Sequence, residues 1–253
     1  MLVADISKHY EITDNRDVNF HLGCAIICWW TCGTIKVHQE AFTVSILHDA
    51  GMENSKPVST PMNAGIRLTS EMCPTMDAEK TRVCALFPYC TIVGKCMYLS
   101  VCTHPDISYT ICELAQFMSN YGEDHILMLK HLLCYLSGMR SHGLLLGQKD
   151  APYPTFCALP DSDWGMGDGQ KSISGFFIML GDSPLSWSSK QQVVITLSSC
   201  EASIYPPPNV PKIFFGFEIY LTHLVSLKDP RLSYTATIKA LFPAHMIPMF
   251  IHK

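Results

Sequence analysis

Charge is scarce in this sequence. Of 253 residues only 16% are Asp, Glu, Lys or Arg, and 18 basic residues stand against 22 acidic ones, for a formal net charge of −4. A free-standing nucleic-acid binder ordinarily carries a basic face, and neither half of this chain is clearly basic. No stretch approaches the ~18 uninterrupted apolar residues of a membrane-spanning helix. The opening residues, MLVADISKHYEITDNRD, bring Asp and Glu early and contain no apolar run, so a secretory leader is not expected. There are 12 cysteines, but no two of them form Cys-x-x-Cys, which removes the usual zinc spacing. These absences lead to the expectation of an intracellular protein, cytoplasmic or nuclear, with free thiols and no membrane partner.

What the chain does have is apolar content. At 48% hydrophobic residues it can build one large domain or two small ones with real cores. Residues 20–40, FHLGCAIICWWTCGTIKVHQE, predict a hairpin: a β-rich run ends at Thr31-Cys32-Gly33, and Thr34 to His38 then alternates. In that hairpin alternate residues should pack inward, one of Trp29 and Trp30 among them. EAFTVSILHDAG follows with helical spacing and stops at Gly51, while 55–65 is a loop by composition. Residues 66–84 read as polar and mobile. Asp106 is placed to cap a helix whose face carries Ile107, Ile111, Leu114 and Met118. Residues 123–138 predict a second helix, apolar on most sides, hence buried or in an interface.

After residue 150 the period changes. YPTFCALPDSDW reads as a strand running into an acidic turn, and SISGFFIMLGD and PLSWSSKQQ as two more strands joined at Gly181-Asp182. LSSCEA then has the chemistry of a helix start, with Ser198 or Ser199 as cap and Glu201 in the first turn. The prolines at 206–208 should break that helix at once, at about 3 kcal/mol or more each. A helical pattern resumes at FFGFEIYLTHLVSL.

Strand, two antiparallel strands, then a helix opening with Glu is the beginning of the ribonuclease H topology. At this point several ordered motifs can be matched. HYEITDNRDVNFHLGC, GMENSKPVSTPM, PYCTIVGKCMYLSVCTHPDISYTICELAQFMSNYGEDH, HLLCYLSG and DSDWGMGDGQKSISGFFIMLGDSPLSWSSKQQVVITLSSCEA together resemble the C-terminal part of the Pol polyprotein of copia-type retrotransposons. The resemblance implies an α/β chain in three parts: a hairpin–helix remnant of the reverse-transcriptase palm and thumb (1–65), a helical connection (66–150), and a partial, degenerate ribonuclease H-like mixed sheet with helix (151–253). Without its palm sheet, the N-terminal part should leave apolar faces exposed.

The same resemblance implies a function and its loss. The ancestral task is binding an RNA/DNA hybrid, or RNA, and cleaving the RNA strand with Mg²⁺ or Mn²⁺, which needs carboxylates from separate elements converging on one point. Asp161 stands where the family has its first catalytic aspartate and metal ligand; Asp163 supports the same motif. Glu201 survives, but Ser203 stands at the second glutamate, and Ser233 or Tyr234 where a third carboxylate is expected. No Asp-Asp pair occurs anywhere, so polymerase chemistry is not expected. Leu22 and Gly23 match the family's Leu-Gly of the primer-grip hairpin. Lys130 and His131 fall where the connection meets phosphates, although His131 and Cys134 replace arginines there. The chain therefore reads as a decayed or truncated copy, catalytically dead, binding metal loosely, with nucleic acid or other Pol segments as partners and a non-catalytic binding or interaction relic as the alternative.

Several residues also have plainer readings. Asp161 and Asp163 fit a solvated turn, and a calcium loop fails because Gly165 and Met166 occupy its fifth and sixth positions. Glu201 fits a first-turn carboxylate favoured by the helix dipole. His125, His131 and Cys134 suit packing better than zinc ligation. Trp164 and Trp187 read as core or rim of the C-terminal sheet, and Asp168, Ser172 and Ser174 as polar hairpin positions.

Overall fold

The computed structural model describes residues 18–63, 65–147, 156–163 and 172–192, and side chains within β5 only at 157, 159 and 161. The expected helix start at 198–201, the proline break at 206–208, the later helical stretch, Trp164 and Asp168 lie outside the described residues.

Two antiparallel sheets flank a helical core. The first sheet has the order β1 (Phe20–His21), β2 (Cys24–Trp29), β3 (Thr34–His38), β4 (Gly143–Leu146). β1 and β2 are joined by Leu22-Gly23, both with positive φ (47° and 74°), the backbone of a type I′ turn that matches the twist of its strands. β2 and β3 pair from Ala25↔His38 to Trp29↔Thr34 around a turn closed by Gly33 at φ 64°. The strand that completes this sheet comes from the far end of the helical segment: β4 pairs with β3 from Ile35↔Leu146 to His38↔Gly143.

Gln39 then starts helix α1 (Glu40–Asp49), its carbonyl accepting from both the Thr43 amide and the Thr43 hydroxyl. The helix ends as its sequence predicts. Gly51, at φ 65°, donates to His48 O while Met52 donates to Leu47 O, the paired bonds of a Schellman motif.

Residues 66–84 depart from the expected mobile segment. They hold a 3₁₀ turn at Ser70–Met72 and most of α2 (Asp77–Leu86), with Leu68 and Val83 fully buried. A few well-spaced apolar residues suffice to dock a polar segment when a large apolar surface already awaits them. Pro88 forces Phe87 into extended backbone and so ends α2. Next comes α3 (Tyr89–Cys102), which periodicity reading overlooked; its buried residues Tyr89, Ile92, Val93, Cys96 and Leu99 form one stripe.

Asp106 does not cap a helix. It lies inside a 3₁₀ turn, Pro105–Ile107, and α4 (Ser108–Ala115) follows without a side-chain cap. The carboxylate has stronger partners: Tyr135 donates to it at 2.7 Å, and His104 Nδ1 is 3.4 Å away. Ile107, Ile111 and Leu114 are buried as expected. Helix α5 (Glu123–Gly138) has the predicted bounds and buries eight residues from His125 to Leu136, although Leu127 faces solvent.

The second sheet is a meander, β5 (Phe156–Asp163), β6 (Ile173–Leu180), β7 (Ser183–Gln191), turning at Gly181-Asp182. Ser174 is a polar position of the β5–β6 hairpin, opposite Ser162, and Ser172 directly precedes β6; both are buried, and Gln192 bonds to each, through its backbone amide to Ser172 O and through its side chain to Ser174 Oγ.

Neither Trp of the N-terminal hairpin packs inward. Trp29 is 42% exposed and Trp30 80%. Trp30 sits in the β2–β3 turn, and Trp29 shares a sheet face with Ile27, Phe20 and Leu145, all exposed. The opposite face, with Ile26, Val37 and Leu144, is the partly buried one. An exposed apolar face on this part of the chain is what the sequence leads one to expect.

Candidate functional site

Asp161 lies on β5 opposite Gly175 of β6, which in turn faces Ser189 of β7. Cross-strand partners share a sheet face, so Asp161, Gly175 and Ser189 lie in one row, beside the row Leu159, Phe177 and Trp187. This face meets the 3₁₀ turn and the first turn of α4. Between them is a cavity of about 320 Å³, lined by Asp161, Gly175, Trp187 and Ser189 on one side and by Ser108 and Tyr109 on the other. Gly175 keeps the space beside Asp161 open, since a Cβ there would only touch Ser188 O at 3.5 Å.

Trp187 is the wall between this cavity and a second, of about 420 Å³, lined by Met97, Ile111, Cys112 and Lys190. Its indole Nε1 donates to Ser100 O at 2.8 Å, and its ring stacks with Phe177 at 6.2 Å. Trp187 is thus the joint between the meander and α3 rather than a residue of the sheet alone. Burial pushes the Cys112 thiol in the second cavity above its ordinary range. A third space, about 500 Å³, is lined by Gln116, Asn120 and Gln191, and Gln191 donates to Gln116 Oε1 at 3.1 Å.

The other sequence-derived candidates are placed apart from Asp161. The Leu22 carbonyl accepts a hydrogen bond from Tyr98 of α3, and Gly23 lies beside the same ring. Lys130 stands over the Phe87 ring, 5.4 Å from its centre, and His131 Nε2 is 3.0 Å from Thr60 O. Asp163 is on β5 opposite Ile173, with its side chain outside the description, and Glu201 lies outside the described residues altogether.

A two-metal site needs several converging carboxylates. Among the described residues no three His, Cys, Asp or Glu side chains stand close enough to hold a metal ion. Asp161 with hydroxyl neighbours does not make such a set. What the pocket offers is one carboxylate acceptor, serine hydroxyls and two aromatic walls. A cluster of ionisable groups lies elsewhere, at His104, Asp106 and Tyr135. Burial raises the Asp106 carboxyl, but hydrogen bonds from His104 and Tyr135 outweigh it and leave the group below its ordinary range. Burial, then Asp106 itself, pushes Tyr135 up. Sequence reading missed this cluster, and only the spacing in HPD hinted at it.

The fold and the pocket define a mixed α/β chain of two antiparallel sheets around a helical core, with Asp161 in a pocket between meander and helix. No protein-family model matches the chain, and no solved structure does. Relatives known by sequence are clear. The chain is 32% identical over 224 residues to the retrovirus-related Pol polyprotein from transposon TNT 1-94 of Nicotiana tabacum, covering 88% of this chain and 17% of that protein. It is 30% identical over 239 residues to the corresponding polyprotein from transposon RE2 of Arabidopsis thaliana, 94% of this chain and 16% of that one. An uncharacterized mitochondrial protein of Arabidopsis thaliana is 30% identical over 210 residues, 79% of each chain. The chain belongs to the Pol polyproteins of copia-type retrotransposons. It spans about one-sixth of the length of the polyproteins it matches. Among the described residues no single helix is long and apolar enough to cross a membrane.

Proposed function

We propose that this chain is the segment of a retrotransposon Pol polyprotein that joins the end of the reverse transcriptase to the ribonuclease H domain, with an ancestral role in holding an RNA/DNA hybrid and cleaving its RNA strand. The observation that carries this reading is the meander β5–β6–β7 with Asp161 near the end of its first strand, following a helical segment. This order of elements fits the opening of a ribonuclease H-like sheet and supports the reading. In this copy we read the nuclease as inactive, because Ser203 stands at the second glutamate of the motif and Ser233 or Tyr234 where a third carboxylate is expected, whereas two divalent ions need several carboxylates. On this reading Mg²⁺ or Mn²⁺ is held loosely.

The test is incubation of the purified chain with an RNA/DNA hybrid in Mg²⁺ and in Mn²⁺, beside Asp161→Asn. No cleavage is expected from either protein. Cleavage lost in Asp161→Asn would overturn the inactive reading and restore the nuclease. Hybrid binding, if retained, should be weak and depend only shallowly on salt, because the net charge is −4 and Lys130 and His131 contact groups within the protein, leaving few cations to neutralise phosphates.

The open apolar face of the first sheet favours a second reading alongside the first. Phe20, Ile27, Trp29 and Leu145 form a surface on which other Pol segments would pack, which makes this chain an interaction relic as well as a nuclease relic. Concentration-dependent association that is lost in Trp29→Lys would support it.

A further inference from the structure

The second cavity beside Trp187, about 420 Å³, is walled by apolar side chains from three elements. Met97 and Val101 come from α3, Ile111 and Ala115 from α4, and Trp187 from β7. Ile111 is buried, whereas Met97 and Val101 are exposed, so an apolar wall runs from the interior out to an apolar lip.

The polar groups around this space largely satisfy one another. Ser100 Oγ and Ser108 Oγ share a hydrogen bond at 2.9 Å, and Trp187 Nε1 donates to Ser100 O at 2.8 Å. Gln116 accepts from Gln191 at 3.1 Å and donates to Glu113 at 2.8 Å. A ligand rich in hydroxyls or amides would lose its bonds to water there and find few in return, whereas an alkyl chain loses none. Lys190 supplies the one cation of the lining, and no acidic side chain lines the space. Lys190 is exposed, and among the described residues no carboxylate is paired with it. Glu113, adjacent to the cavity in sequence, is buried and does not line it. An apolar hollow with a cation at its rim is complementary to an amphiphile with one negative end.

We propose that this cavity binds an alkyl carboxylate, a fatty acid of medium length, with its chain between α3, α4 and Trp187 and its carboxylate against Lys190. The volume lies within the range of about 300–1,000 Å³ usual for small-molecule sites. A chain bound there touches both the meander and the helices, so it favours the folded state and tightens their junction. Cys112 is part of the same wall, so an occupied cavity shields it.

The experiment alkylates the folded full chain with iodoacetamide at graded concentrations of decanoate, below its micelle concentration, and maps the cysteines by mass spectrometry. Each variant is compared with its own rate without decanoate. The expected result is saturable protection of Cys112, while Cys32 and Cys84, both exposed, react at an unchanged rate. Octanoate, two methylenes shorter, should need about tenfold higher concentration for the same protection. Lys190→Gln, a surface change that leaves the core intact, should weaken decanoate by about two- to fivefold, the share of a solvent-exposed ion pair, and leave decanol unchanged. Three results would overturn the proposal: no protection of Cys112, equal protection of Cys32 and Cys84, or decanoate and decanol binding alike in the unsubstituted protein. The readout is the reactivity of one named cysteine, so it stands or falls independently of any nuclease activity.

Discussion

Leu22 occupies left-handed backbone at φ 47°, where a β-carbon crowds the following carbonyl at a cost of roughly 1–2 kcal/mol. Its side chain is 73% exposed, so little packing offsets that cost. Replacing Leu22 with Asn, which tolerates this region and gives the favoured Asn-Gly turn, should stabilise the protein by about 0.5–1 kcal/mol. A urea midpoint that rises at unchanged slope is the expected measurement. At the opposite extreme of exposure is His125, fully buried at the start of α5, its ring 4.2 Å from Phe117 and its Nδ1 accepting from the Gly122 amide at 3.1 Å. Burial lowers its pKa, so the folded state takes up a proton at lower pH than the unfolded chain does. Between the unfolded value of about 6.5 and the lower folded value, the unfolded state binds more protons, and stability must fall as pH drops through that window. His125→Gln keeps an acceptor for Gly122 and should flatten the dependence of unfolding free energy on pH below about 6.5, with no change of slope above it.

At the scale of elements, Trp187 to Ser100 and Gln191 to Gln116 bond the meander to the helices, and Ser183 bonds it to Gly147 just beyond β4. Trp187→Phe keeps the ring against Phe177 but removes the indole donor and leaves Ser100 O unpaired, a loss of about 1 kcal/mol. Hydrogen exchange should quicken in β6 and β7 while α3 and α5 keep their protection. Equal loss of protection throughout would show that meander and helices unfold as one unit. The elements also show what a sequence reveals and why. The hairpin 20–38, α1 and α5 are legible because a strong period meets clear punctuation at Gly33, Gly51 and Gly138. Helix α2 is hidden because Leu68 and Val83 dock a polar stretch, and α3 because Gly94 and Lys95 interrupt the sequence between its stripe residues Val93 and Cys96. Trp29 misleads for a different reason: alternation says which residues share a face, and only neighbouring elements decide which face is covered. In the pocket, Asp161 is legible from its motif, whereas Trp187, Ser108 and Tyr109 come from separate segments that only the tertiary fold brings together.

For the molecule as a whole, the decisive closure is β3 with β4. It demands Gly143, where a Cβ would stand 2.3 Å from Val37 O and 2.7 Å from the His38 side chain. Gly143→Val must push the strands apart and should destabilise by about 1–3 kcal/mol, read as a lowered urea midpoint. Loss of amide protection should centre on 34–38 and 143–146 and spare β5 to β7. Membership in the Pol polyproteins rests on similarity along nearly the whole chain, while the pocket alone would not have identified the family.

The pairing of β3 with a strand about a hundred residues later also matters on the ribosome. At ~5–20 residues per second, the apolar ribbon β2–β3 waits about 5–20 seconds for the strand that covers its open edge. During that interval its unpaired backbone groups are a template for any other nascent chain. The hazard of making this protein therefore lies in the interval between the synthesis of residues 20–38 and that of residues 143–146, and cooler, slower expression would lengthen it.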